Sequence, residues 1–309
     1  MQLDSLSDVM PLLDSAVHPD SILHRTLDFL LSKESSRGRR ITEVLLNNYF
    51  AVVRLDDDSV GACMSSFRLS EAALEESERR VRTLLPNDPL LIRYLGEPCE
   101  SAGIAASLKA ALVNALSAPV LRAGGDEYFS VLKGRPDQFF TDIDFAVVIG
   151  WGGLWEFLLR HTTALRIHVS ELRYEASKNK IEAELNKYRA KYPYLELSIS
   201  DGSDIRKHLS KADFLAITGS TLGNSTLDEL LNLSRDCRRV ILQGQSAGIH
   251  PRYLFEAGVH LVATSIKPVS VAEAAAADPT GRTLRPFFEG GLPRIYLTPA
   301  ASPGTIASE

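Results

Sequence analysis

The chain has 309 residues, of which 45% are hydrophobic and 24% charged, and its formal net charge at pH 7 is −5. This length allows two domains, and the composition is that of an ordinary globular protein. The acidic balance argues against a nucleic-acid surface, and no apolar run approaches the length of a membrane span. Aspartates interrupt the N-terminal apolar residues, which argues against a signal peptide. Three scattered cysteines are typical of a reducing compartment, so we expect a cytoplasmic protein without nucleic-acid or membrane partners.

The sequence pattern of residues 1–120 predicts a small α+β domain. Leucines at helical spacing indicate a first helix, and two apolar runs around an aspartate-rich turn indicate a β-hairpin. Two further amphipathic or Ala- and Leu-rich segments predict helices. The predicted elements are a helix from about Asp8 to Leu31, strands Phe50–Leu55 and Val60–Phe67, and helices Leu69–Leu84 and Gly103–Leu116. Glycines and prolines between Ala118 and Asp137 then predict a linker.

From Phe139 onward, short apolar strands alternate with helices, which is typical of a doubly wound parallel sheet. The sequence therefore predicts an α/β domain over residues 138–299, followed by a flexible tail at 300–309. An extra edge strand is expected at Arg294–Leu297. The predicted parallel strands are Phe145–Ile149, Ile167–Val169, Leu195–Ile199, Phe214–Ile217, Val240–Leu242 and Leu261–Ile266.

Three loops of small and polar residues follow strands of this predicted sheet: Gly150–Gly153, Thr218–Asn224 and Gly244–Gly248. Ligands of open α/β sheets bind where the carboxyl ends of such strands meet. Ser225 and Asp228 have the spacing of a helix capping box after the second loop. The predicted ligand-binding residues are Gly150, Trp151, Gly152, Gly153, Glu171, Thr218, Gly219, Ser220, Thr221, Asn224, Gly244 and Ser246.

The position of Glu171 keeps a nucleotide among the alternative ligands. It closes the second predicted strand, 21 positions after Gly150 (171 − 150), where Rossmann proteins place the acid that holds a ribose. The glycine pattern is incomplete, because Trp155 stands where a third glycine is expected. A serine hydrolase is a further alternative, since Ser246 lies in G-Q-S-A-G, but Glu256 and His260 follow too closely for the usual triad.

Histidine and carboxylate positions bear on metal binding. The chain has seven histidines, and no two of them are paired four residues apart on a helix. His250 adjoins the third loop and faces either the ligand cleft or the following helix, while His168 is interpreted as a sheet residue. Glu171 and His250 are the candidate metal ligands.

The second and third loops, AxFLAITGSTLGNSTLDELL and VILQGQSAGIHPRYLFEAGVHLVA, resemble the C-terminal domain of the family described as putative heavy-metal chelation. The shared positions are Thr218, Gly219, Thr221, Asn224, Thr226, Gly244, Ser246 and Pro251. Gln245 and Ala247 depart from that family's usual Pro and Thr. The N-terminal half is similar to the enolase-N-terminal-like domain that commonly precedes it, at residues 48–52, Val60-Gly61 and 114–117.

This resemblance implies a Rossmann-like domain preceded by an enolase-N-terminal-like domain, with a cleft between them. It also implies binding of a metal or of a metal-chelating small molecule. We therefore expect a protein of metal homeostasis that holds a divalent metal ion or metal chelate at the three loops. The alternative is an enzyme that uses NAD or S-adenosylmethionine on an amino-acid-like molecule. The sequence leaves open whether the chain catalyses a reaction and whether it forms a homodimer.

Overall fold

A computed structural model describes residues 18–36, 38–46, 49–64, 101–151, 166–171, 174–278, 284, 286–287 and 291–300. This part of the chain forms a three-stranded antiparallel sheet and an eight-stranded, mostly parallel sheet. The α/β fold class is thereby confirmed. None of the described helices combines the length and the apolar character that a membrane span requires.

The three-stranded sheet consists of β1 (Ile41–Leu46), β2 (Phe50–Leu55) and β3 (Val60–Met64). The predicted hairpin is β2–β3, with Phe50 opposite Met64. Helix α1 (Ile22–Ser32) precedes this sheet, and the buried helix α2 (Ser101–Arg122) packs against it. The predicted helix at Leu69–Leu84 lies outside the described residues, as does the predicted first helix before residue 18.

Gly61 lets α2 lie directly on the hairpin. A Cβ atom at position 61 would lie 1.9 Å from the carbonyl oxygen of Ala111 and 2.4 Å from the amide nitrogen of Ala115. Only a glycine permits two backbones to approach this closely without moving one of them. The other face of the small sheet packs on residues Val271, Ala272 and Ala275 of a later helix.

The strands of the large sheet are β4 (Phe129–Val131), β5 (Phe145–Ile149), β6 (Arg166–Ser170), β7 (Glu196–Ser200), β8 (Phe214–Thr218), β9 (Arg239–Gln243), β10 (Leu261–Thr264) and β11 (Ile295–Pro299). Their order in the sheet is β4-β11-β10-β9-β8-β5-β6-β7. Strands β5 to β10 are parallel, while β11 and β4 are antiparallel. Chain order reverses between β5 and β8, so the loops after these two strands meet at a topological switch point.

The remaining helices connect or cover these strands. They are α3 (Tyr174–Lys191), α4 (Ile205–Leu209), α5 (Ser220–Gly223), α6 (Leu227–Leu233), α7 (Arg252–Glu256) and α8 (Val269–Ala277). Short 3-10 turns occupy Glu34–Ser36, Asp137–Phe139 and Gln245–Ala247. One hydrophobic cluster runs from Leu27 of α1 through Leu112 of α2 to Leu215 of β8, so the core is continuous between the two sheets.

Four sequence predictions need correction. The predicted linker begins inside α2, which continues past Pro119 to Arg122 because Ala118 and Leu121 are buried in the core. The end of that linker contains β4, which pairs with β11, so the strand predicted at the sheet edge lies inside the sheet. The loop after β8 includes the short helix α5.

The fourth correction concerns the predicted capping box. Thr226 precedes α6 without capping it by its side chain, and Ser225 has a φ of 59°. Asp228 caps a different helix, because its Oδ1 accepts a hydrogen bond of 2.9 Å from the amide of Ile22 at the start of α1.

Candidate functional site

The three predicted loops come together at the carboxyl edge of the large sheet. A Cβ atom on Gly150 would lie 2.9 Å from Cγ2 of Thr218, and one on Gly219 would lie 2.5 Å from the amide nitrogen of Ala247. Gly150 and Gly244 have φ values of 98° and 125°, which favour glycine. The small residues are therefore required for the loops to pack against one another. Gly152 and Gly153 lie outside the described residues.

The polar side chains of these loops form hydrogen bonds mainly with other groups of the protein. Ser220 Oγ donates to Thr218 Oγ1 at 3.2 Å, and Thr221 Oγ1 donates to the carbonyl of Thr218 at 2.7 Å. Asn224 Oδ1 accepts from both the amide and the hydroxyl of Thr226. These bonds shape the loop after β8.

Ser246 joins the third loop to the small sheet. Its Oγ accepts a 2.9 Å hydrogen bond from the amide of Met64, and its carbonyl accepts one of 2.9 Å from Asn114 Nδ2. The partners expected of a triad lie elsewhere: Glu256 pairs with Arg25, and His260 Nδ1 accepts from the amide of Val240. The arrangement holds two parts of the fold together and does not form a nucleophile elbow.

Next to Ser246 lies the buried amino group of Lys267, which was not predicted from the sequence. Lys267 is 2% exposed, and its Nζ donates to the side-chain carbonyl of Asn114 at 3.0 Å and to the backbone carbonyl of Gln245. Burial lowers the pKa of Lys267 to about 7, and the neighbouring Cys63 opposes this shift. Burial likewise raises the pKa of the Cys63 thiol to about 11. No local pattern marks a lysine for burial, so the sequence offers no signal for this cluster.

Glu171 and His250, the predicted metal ligands, lie against different elements. Glu171 Oε2 accepts a 2.7 Å hydrogen bond from the amide of Trp151 and thereby holds the first loop. His250 follows β9, and its side chain is 1% exposed. Strands β8 and β5 separate β9 from β6, at whose end Glu171 lies, which corresponds to about 14 Å across the sheet.

His250 has its own buried partners. Its Nε2 lies 2.8 Å from Asp126 Oδ2, and its ring contacts Phe29, with 4.8 Å between ring centroids, and Phe129, with 5.2 Å. Burial lowers the pKa of His250, while the hydrogen bond to Asp126 opposes that shift. The residue therefore faces the helix α1 side of the core.

A different group of residues brings nitrogen and oxygen donors together. One ligand atom from each of His168, Asp204 and His208 lies within 4.8 Å of the other two. His208 Nε2 lies 2.9 Å from Asp204 Oδ2, and the rings of His168 and His208 are stacked. His168 is 2% exposed, whereas the side chains of His208 and Asp204 are 22% and 44% exposed. The group is therefore deep on one side and open on the other.

Strand alternation and helical spacing produce this group. His168 pairs with Val147 across β6 and β5, so it faces the same side of the sheet as Val147, whereas Ile167 and Val169 face the other. Helix α4 covers the His168 side with Leu209. Asp204 and His208 are four residues apart and lie on one face of that helical turn. The spacing Asp204-x-x-x-His208 is the available sequence signal, whereas the ligands predicted from the sequence are Glu171 and His250.

Serine hydroxyls orient the buried imidazole. His168 Nδ1 lies 2.9 Å from Ser198 Oγ, and its Nε2 lies 3.1 Å from Ser200 Oγ. Ser200 Oγ donates to Asp204 Oδ1 at 2.7 Å, so it accepts from His168 Nε2, and Nδ1 is left as the acceptor. Hydrogen-bond partners of this kind fix the tautomer and orientation of metal-binding histidines.

The electrostatics of the group favour neutral imidazole beside a carboxylate. Burial, together with the neighbouring His208, lowers the pKa of His168 to about 4. The hydrogen bond from Ser200 lowers the pKa of Asp204. Metal ions bind neutral imidazole and ionised carboxylate, so the pKa shifts of His168 and Asp204 both favour the form that binds a metal.

Two imidazoles and one carboxylate are a donor set that suits zinc, copper, nickel or cobalt. Three protein ligands would leave one position of a tetrahedral ion open. A metal would replace one of the two serine hydrogen bonds to His168. We call His168, Asp204 and His208 the His-Asp-His group.

Comparison with known proteins gives a family match for part of the chain. Residues 170–290 match the model of the DUF364 family, described as putative heavy-metal chelation. Asp204 and His208 lie inside this match, and His168 lies just before it. No curated protein matches the chain.

Two solved structures share the fold. A DUF364-family protein of unknown function from Pyrococcus horikoshii is 14% identical, and the match covers 90% of this chain and 100% of that one, with a TM-score of 0.57. A DUF364-family protein of unknown function from Desulfitobacterium hafniense is 16% identical, with coverage of 90% and 98% and a TM-score of 0.57. The match over residues 170–290 and the shared fold thus confirm the resemblance to the family described as putative heavy-metal chelation.

Proposed function

We propose that this chain, which matches the DUF364 family over residues 170–290, binds a divalent transition-metal ion at the His-Asp-His group. The observation that carries the proposal is the convergence of two imidazoles and one carboxylate within 4.8 Å. The family's description, putative heavy-metal chelation, agrees with this chemistry. A role in cytoplasmic metal homeostasis follows as part of the proposal.

Burial and hydrogen bonding support a site that is organised before the metal arrives. Ser198 and Ser200 hold His168, and Ser200 also holds Asp204. Such partners keep the side chains in place, and one serine hydrogen bond to His168 gives way when an ion binds. The partial exposure of His208 and Asp204 gives the ion a path from solvent.

The proposed location differs from the one expected from the sequence. Glu171 holds the amide of Trp151, and His250 contacts Asp126 on the other side of the switch point. The His-Asp-His group combines three donors in one place. We therefore assign the metal to this group, while the three loops form the packed junction at the carboxyl edge.

Isothermal titration calorimetry tests the proposal. Chelator-treated protein is titrated with Zn²⁺, Ni²⁺, Co²⁺ and Cu²⁺, and one ion per chain is expected for at least one metal. His168→Asn, Asp204→Asn and His208→Asn should each weaken binding about tenfold or more, because each removes one ligand.

The matched control is His18→Asn, which removes an exposed imidazole whose only described charged neighbour is Asp20. It should bind metal like the wild type. Binding of equal affinity in the three ligand variants would overturn the proposal. Circular dichroism of each variant establishes that it is folded.

A further inference from the structure

A cavity of about 170 Å³ adjoins the His-Asp-His group on the side of the sheet's amino edge. Phe145, Arg166 and Glu196, the first residues of β5, β6 and β7, line it. His208 also lines the cavity, together with Ser198, which bonds His168. The cavity therefore touches the proposed metal site through His208, whereas His168 and Asp204 are not among its lining residues.

The charge of this cavity favours an anion. Arg166, Lys207 and Lys211 contribute three cations, against the single carboxylate of Glu196. Within the described part of the chain, none of the three cations belongs to an ion pair. The guanidinium of Arg166 lies over the ring of Phe145, 5.1 Å from its centroid, which places this charge at the cavity wall.

The size of the cavity selects a small ligand. Its volume is that of about six water molecules at ~30 Å³ each. Pockets for drug-sized ligands begin at about 300 Å³. A phosphate or a short dicarboxylate fits within this volume.

The proposed metal has a free position for such a ligand. The His-Asp-His group supplies three donors, and a tetrahedral ion takes a fourth. An anionic oxygen beside His208 would supply that donor, while the basic side chains would balance its remaining charge. We propose that this cavity binds a small oxyanion which completes the coordination of the metal. This inference rests on the proposed function of the same site.

Co²⁺-loaded protein provides the test, because the visible spectrum of cobalt reports its ligands. Equilibrium dialysis first measures cobalt binding without added oxyanion. Phosphate and malonate are then added in separate titrations, and bound cobalt is measured again at each end point. We expect a saturable spectral change with cobalt retained. A response to phosphate alone assigns a single phosphoryl group, and a response to malonate assigns a carboxylate ligand.

Lys207→Gln/Lys211→Gln is the decisive variant, because it removes cavity charge without touching a proposed metal ligand. It should bind cobalt like the wild type in the absence of oxyanion and require at least about tenfold more oxyanion for the spectral change. Lys187→Gln is the control, since this exposed lysine lies on α3, which covers the opposite face of the sheet. It should respond like the wild type.

The outcomes separate the two proposals. If wild-type protein binds no cobalt in the first step, the proposed metal site is wrong and the oxyanion site is wrong with it. If cobalt binds and neither oxyanion changes the spectrum, only the oxyanion site is overturned. Loss of cobalt to the added oxyanion, or an unchanged response in Lys207→Gln/Lys211→Gln, also overturns it.

Discussion

The imidazole ring of His168 stacks on that of His208, with 3.5 Å between the ring centroids and an angle of 8° between the ring planes. His168 lies on β6, which adjoins the edge strand β7, and His208 lies on a short surface helix, 40 positions later in the chain (208 − 168). Two stacked imidazoles repel each other if both are protonated, and His208 contributes to the lowered pKa of His168. Imidazole nitrogens bind metals in the plane of the ring, so a metal ion shared by both residues requires one ring to turn out of this stack.

Zinc should stabilise the folded protein. A ligand that binds only the folded state at a concentration of about 100 times its Kd adds about 2.7 kcal/mol to the free energy of unfolding. In a chain of this size we expect Tm to rise by about 5 °C, measured by differential scanning calorimetry. His208→Asn should lose this rise, and His18→Asn should keep it. An equal rise in all three proteins would locate the zinc elsewhere.

Lys267 should make stability depend on pH. Its pKa is lowered to about 7 in the folded state, so between pH 7 and 10.5 the unfolded chain binds more protons and stability rises with pH. From pH 7 to 8.5 this contribution amounts to about 1.5 kcal/mol. This window lies below the titration of Cys63, whose pKa is raised to about 11. Lys267→Met should remove the contribution.

Urea unfolding at several pH values measures this effect. The difference in unfolding free energy between wild type and Lys267→Met should change with pH by the stated amount. Lys187→Met is the control and should run parallel to the wild type, because Lys187 is exposed. Parallel profiles for wild type and Lys267→Met would show that Lys267 is not a buried neutral amine above pH 7.

Gly61→Ala should strongly destabilise the protein. The added methyl group would lie 1.9 Å from the carbonyl oxygen of Ala111, so α2 and the hairpin would have to separate. We expect a loss on the order of 3 kcal/mol in urea unfolding. Gly38→Ala is the comparison, because a Cβ atom at position 38 meets no other atom and only the φ of 77° opposes the substitution. Gly38→Ala should therefore cost about 1 kcal/mol. Equal losses would argue against this close approach.

Asp228 should stabilise helix α1 across the fold. Its carboxylate accepts a hydrogen bond from the amide of Ile22, and this amide has no partner within its own helix. Asp228→Ala should cost about 1 kcal/mol in thermal or urea unfolding. Asp228→Asn keeps an acceptor oxygen and should cost clearly less. An Asn variant as unstable as the Ala variant would show that charge, and not the hydrogen bond, matters there.

The central sheet could be predicted from sequence because its strands are continuous apolar runs. Phe145–Ile149 is predicted with its observed bounds, and Phe214–Ile217 differs by one residue from β8. Such runs are buried on both faces and leave little ambiguity. Strand β4 has only three residues, and its pairing with β11 depends on contacts far away in the chain. A segment of that kind carries no periodic signal.

The candidate metal group shows the same limit for function. The loops are visible in sequence because glycines and hydroxyl residues follow each strand, and they do converge. His168 and His208 carry no sequence link, since their proximity arises when α4 folds over β6. Only Asp204 and His208 share a helical turn, and a pair of residues does not specify a metal site.

The most direct test of the account is zinc-edge anomalous diffraction from crystals of zinc-loaded protein. The account predicts an anomalous peak at about 2.0–2.2 Å from one ring nitrogen of His168, one of His208 and a carboxylate oxygen of Asp204. A zinc ion at Glu171 or His250, or the absence of a peak at the His-Asp-His group in protein that retains zinc, would contradict it.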